Sequence, residues 1–83
     1  MNKQQRDWCE SELTRLHRRF DKLDAMMEKD ELAGDMEKYT KHDHRQDVVL
    51  AKMDGIMDVL HVLGYHARYN DDLDRFDVLK NDY

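Results

Sequence analysis

Proline is absent from this 83-residue chain, and glycine stands only at positions 34, 55 and 64. Little in the sequence would interrupt a helix, and its abundant Leu, Met, Glu, Lys, Arg and Ala favour one. Cys9 is the single cysteine, which excludes an internal disulfide and a cysteine-held structural zinc. No apolar run approaches the length of a membrane span, and the opening segment Met1 to Arg6 lacks the apolar centre of a signal peptide. A cytoplasmic location and no membrane partner are the expectation. A basic excess is also missing. Fourteen Lys and Arg stand against nineteen Asp and Glu, a net charge of −5. That balance opposes generic attraction to anionic surfaces and argues against direct nucleic-acid binding.

What the chain does hold is charge and pattern. Charged and apolar residues each make up 40%, and the apolar ones are periodic, so the chain reads as folded. Its length allows one domain with a modest core. Without a staple, stability must come from good helix packing or from oligomerisation.

Asn2 with Gln5 forms a capping box that opens a first helix. Behind it Cys9, Leu13, Leu16, Phe20, Leu23 and Met27 recur at steps of four and three, a coiled-coil-like seam. This helix is placed at about 3–32 and is roughly 45 Å long at 1.5 Å per residue, with Gly34 as its C-terminal cap. Residues 34–40 read as a connection. Thr40 with Asp43, or Asp43 with Gln46, then marks a second helix at about 41–66. Asn70, Asp71 and Asp72 suit a third helix start, because acidic groups favour the positive end of the helix dipole. Leu73, Phe76 and Leu79 would line one side of that short helix, at about 71–80. The expected fold class is therefore all-α: a helical hairpin with a short third C-terminal helix.

At 100° per residue the second helix divides into three sectors. Large apolar side chains (Val49, Leu50, Met53, Ile56, Met57, Leu60, Leu63) form one. Small ones (Val48, Ala51, Gly55, Val59, Val62) form another. Asp43, Asp47, Asp54 and Asp58, with His61 beside them, form the third. A helix apolar over most of its circumference needs two neighbours. The first helix covers the large sector. Val48, Ala51, Gly55, Val59 and Val62 are then the expected interface of a homodimer that completes a helical bundle. A monomeric three-helix bundle is the alternative.

No phosphate loop, His-Glu-x-x-His, Cys-x-x-Cys or nucleophile elbow is present. His42, Asp43, His44 and Asp47, with His61 and His66, come nearest to a metal set. On a helix His42 and His44 point about 200° apart, so they read as solvated polar residues. No metal, cofactor or catalytic group is expected. Cys9 on the seam reads as a small core residue rather than a reactive thiol. Arg15, Arg18, Arg19 and Lys22 form a basic stripe that reads as a solvated face. The acidic rows are the candidates for partner binding: Asp43, Asp47, Asp54 and Asp58 on the second helix, and Asp71, Asp72 and Asp74 beside Phe76. Each row alone suits a solvated face, and together they suit docking onto a basic protein surface.

The function this implies is a non-enzymatic protein-binding module, an inhibitor or regulator of a larger partner such as a nucleic-acid-handling protein. Small phage-encoded inhibitors share its size and charge, which is analogy only. The competing expectation is a structural or adaptor subunit that self-assembles through its helices.

Overall fold

The computed structural model describes residues 1–82. Helix α1 spans Lys3–Ala33. It starts as the capping box requires, with the Gln5 amide donating to Asn2 Oδ1 (2.8 Å) and the Asn2 amide donating to Gln5 Oε1 (3.1 Å). Cys9, Leu13, Leu16, Leu23 and Met27 of its seam are buried, and Phe20 is half-buried. Gly34 ends the helix at φ 70°, and the Asp35 amide behind it donates to the Asp30 carbonyl at 2.9 Å. An L side chain rarely adopts that left-handed conformation, which is why glycine stands there.

Helix α2 spans Met36–Val62, beginning earlier than the expected position 41. Asp35 is its N-cap and accepts from the Lys38 amide at 3.1 Å. Thr40 lies inside the helix, its hydroxyl donating back to the Met36 carbonyl at 2.8 Å. The connection is thus Gly34 and Asp35 alone, a tight helical hairpin that lays α2 antiparallel along α1. Polar ties hold its closed end. The Asp30 carboxylate and His42 Nδ1 lie 2.6 Å apart, and Gln46 Nε2 donates to Asp24 Oδ1 at 3.2 Å. Val49, Met53 and Leu60 of α2 meet the α1 seam in the core.

The third helix does not exist. Gly64, at φ 84°, turns the chain out of α2 soon after Val62, so this helix does not reach residue 66. Strand β1 (Tyr65–Asn70) and strand β2 (Arg75–Lys80) follow as an antiparallel hairpin, in register from Tyr65 opposite Lys80 to Asn70 opposite Arg75. The all-α expectation and the three-helix alternative are both corrected: the fold is a long helical hairpin carrying a two-stranded sheet. The overturning pattern has period two. Tyr65, Ala67 and Tyr69 alternate with more polar neighbours, as do Phe76 and Val78 across from them, and both sets pack on the core. Asn70 does supply the capping chemistry expected of it. Its Oδ1 accepts from the amides of Asp72 (3.1 Å) and Leu73 (3.2 Å), but what it closes is a turn.

The sheet lies across one flank of the helical pair, β2 against α1 and β1 against α2. Phe76 and Val78 are buried with Leu13, Leu16 and Leu60 in one cluster. The rings of His17, Tyr69 and Phe76 gather beside it, with centroids 4.4 to 5.5 Å apart. The outer edge of β2 would leave amides without partners, and α1 supplies them. The Phe76 amide donates to Thr14 Oγ1 (2.9 Å) and the Val78 amide to Glu10 Oε2 (2.8 Å). Two helix side chains one turn apart thereby close a strand edge that would otherwise be open to pairing.

Candidate protein-interaction site

The expected acidic residues separate into two places. Asp71, Asp72 and Asp74 lie in the four-residue loop between β1 and β2, all exposed, and between them Leu73 stands 55% exposed. This tip is held from several directions. Asn70 closes the turn, and Asp74 takes φ 50°, a conformation that Asp tolerates better than most residues. Arg18 Nη2 donates to the Asp74 carbonyl at 3.1 Å, and the Tyr69 hydroxyl donates to Asp74 Oδ1. The neighbouring Asp74 carboxylate, through that bond, pushes the Tyr69 phenol up to about 12, with burial and the charges of Asp74, Asp71 and Asp21 adding to it. Asp71 and Asp72 make no ion pair among the described residues. An apolar side chain is thus presented on a fixed loop, ringed by carboxylates.

Phe76, expected among the partner-binding residues, is instead 7% exposed and sits in the chain's own core. Strand alternation turns it inward, while Leu73, which sequence reasoning passed over as an anchor, is the apolar residue left outside. The signal was available: Leu73 stands among aspartates, between two short stretches in which apolar residues alternate, Tyr65, Ala67 and Tyr69 before it and Phe76 and Val78 after it.

Asp43, Asp47, Asp54 and Asp58 are exposed along α2. Val48, Ala51, Gly55, Val59 and Val62 are exposed as well, Val59 at 58% and Val62 at 83%. The β-hairpin packs elsewhere on the helical pair and leaves this stripe open. Alongside it runs a groove between the helices. Trp8, Cys9, Leu16, Gly55, Ile56 and Val59 line one end with Glu12 and Lys52, and Arg15, Arg19, Arg45 and Lys52 line its middle. Trp8, at 59% exposure, is the largest exposed apolar side chain of this face. It was missed because it stands off the seam. Of the basic stripe, Arg18 turns to the β-hairpin tip, and Arg15 pairs with Glu12.

Among the described residues no group of three or more His, Cys, Asp or Glu side chains is placed to hold a metal ion, and His42 is engaged by Asp30. Burial, reinforced by the charge of Glu10, pushes the Cys9 thiol up, away from the reactive thiolate. Among the described residues no helix is long and apolar enough to cross a membrane. No family model, curated protein or solved structure matches this chain.

Proposed function

We propose that the protein is a non-enzymatic binding module that docks the tip of its β-hairpin onto a basic surface of a larger protein. The observation that carries this reading is Leu73, exposed on a braced loop between Asp71, Asp72 and Asp74. Carboxylates around the tip steer it toward positive charge, and an apolar side chain entering a pocket slows departure. A loop already fixed by Asn70, Arg18 and Tyr69 loses little freedom on binding. Basic surfaces with pockets are typical of proteins that handle nucleic acids, and occupying one would make this protein an inhibitor or regulator there.

The test is affinity capture of a partner with the full chain, followed by binding kinetics of the purified pair. Asp71→Lys with Asp72→Lys is expected to slow association and flatten its dependence on salt. Leu73→Ala should leave association nearly unchanged and speed dissociation by about tenfold or more. Both variants lie outside the core, so circular dichroism should match the parent. A partner that binds both variants with parental kinetics overturns the reading. A second reading, the self-assembling adaptor, is favoured by one observation of its own, the open stripe on α2.

A further inference from the structure

Gly55 lies in the interior of α2, where glycine is destabilising relative to alanine. Nothing among the described residues packs against it. Apart from its own turn of helix, a Cβ built at Gly55 meets no atom of the described residues within 4 Å, and the backbone there has ordinary helical geometry, with no positive φ. A helix glycine with open space in front of it suits the close approach of another backbone. The residues around it fit that purpose. Val48, Gly55 and Val62 recur every seven positions with Ala51 between them, all exposed, on the side of α2 turned away from Met53 and Leu60.

Charge decides what would lie there. Asp47, Asp54 and Asp58 run along one flank of the stripe, and Arg45 and Lys52 along the other. None of the five has an ion-pair partner among the described residues. A helix with opposite charges on its two flanks is complementary to itself in one orientation. When two copies pack in parallel about a two-fold axis, the acidic flank of each faces the basic flank of the other. In the antiparallel arrangement acid faces acid and base faces base.

We propose that the occupant of this stripe is a second copy of the chain, α2 against α2 in parallel, with Gly55 at the crossing. Asp47 of each copy then lies one flank-to-flank step, five residues, from Lys52 of the partner subunit, and symmetry makes that pair twice. Trp8 and the apolar end of the interhelical groove border the same face and are covered in part. The β-hairpin packs on the other flank of the helices and keeps its tip free, so this assembly is independent of tip docking and carries two tips per dimer.

Sedimentation velocity of the full chain tests the assembly, with dimers expected at micromolar concentration. Gly55→Glu should give monomers with parental helicity, since a Cβ at that position meets nothing within 4 Å and the space before it is open. Asp47→Lys and Lys52→Asp should each weaken the dimer by about tenfold, because each turns two attractions into two repulsions. The double exchange, Asp47→Lys with Lys52→Asp, should restore it. Orientation is read by Val48→Cys, which under mild oxidation should cross-link to itself across the axis, while the parent, with only buried Cys9, should not. A parent chain that stays monomeric to near-millimolar concentration overturns the proposal. A dimer that the charge exchange fails to restore, or that Val48→Cys fails to cross-link, overturns the parallel pairing.

Discussion

The helical pair and the β-hairpin were built under different rules. In α1 every decision is local: Asn2 and Gln5 begin the helix, a four-three repeat sets its buried side, and Gly34 ends it. In residues 65–80 almost nothing is local. A two-stranded hairpin is marginal in water by itself, and this one exists because α1 receives it. Phe76 and Val78 find their burial against Leu13 and Leu16, and their amides find Thr14 and Glu10. Long periodic elements announce themselves, whereas a short element takes its identity from the surface that stabilises it.

The largest loss is expected from removing the anchor between the two regions. Phe76→Ala should cost about 3–5 kcal/mol, as large as truncating a helix-seam residue such as Leu60. Chemical denaturation should show one transition for both regions, shifted as a whole. If the helices melt at the parental midpoint while only the sheet is lost, the β-hairpin is an appendage and not part of the core.

A smaller effect isolates the polar link. Thr14→Val keeps the shape of the buried side chain but removes the oxygen that accepts from the Phe76 amide. The unpaired amide should cost about 1–3 kcal/mol. Hydrogen exchange sharpens the attribution, because protection should fall first at Phe76. Unchanged protection there would mean that water replaces the hydroxyl without loss.

The smallest effect lies at the tip and depends on pH. The Tyr69 phenol is raised from about 10 to about 12 because its neutral form donates to Asp74. The contribution of the Tyr69–Asp74 bond to the bracing is therefore present as pH approaches 10 and is lost as pH rises through about 12, while the ties from Asn70 and Arg18 remain. In an ultraviolet titration of the four tyrosines, Tyr69 should ionise near pH 12, later than free tyrosine side chains. Asp74→Asn should bring it back toward them, and a late phase that survives this substitution would assign the shift to a different tyrosine.

The late start expected for α2 shows how a local reading goes astray. Thr40 and Asp43 offered plausible caps, yet Asp35 lies directly after the Gly34 turn and captures the Lys38 amide first. The acidic surface was legible in kind but not in detail. Aspartates without a partner inside the fold stay outside, unlike Asp30 with His42, so the tip carboxylates could be named in advance. Whether Phe76 or Leu73 faced the solvent depended on the difference between helix and strand, and that difference moved the anchor.

The two long helices, their facing seams and the capping at Asn2 and Gly34 are legible in the residues alone. Those features rest on interactions within a few residues or on a repeat long enough to average out local ambiguity. That Tyr65–Asn70 and Arg75–Lys80 are strands was settled by packing. Leu73, Phe76 and Leu79 satisfy a helical spacing while Phe76 and Val78 satisfy a strand alternation, and over so few residues neither pattern prevails alone. The flank of α1 resolved the choice, since Thr14 and Glu10 accept from amides that a strand edge exposes and a helix would have used internally.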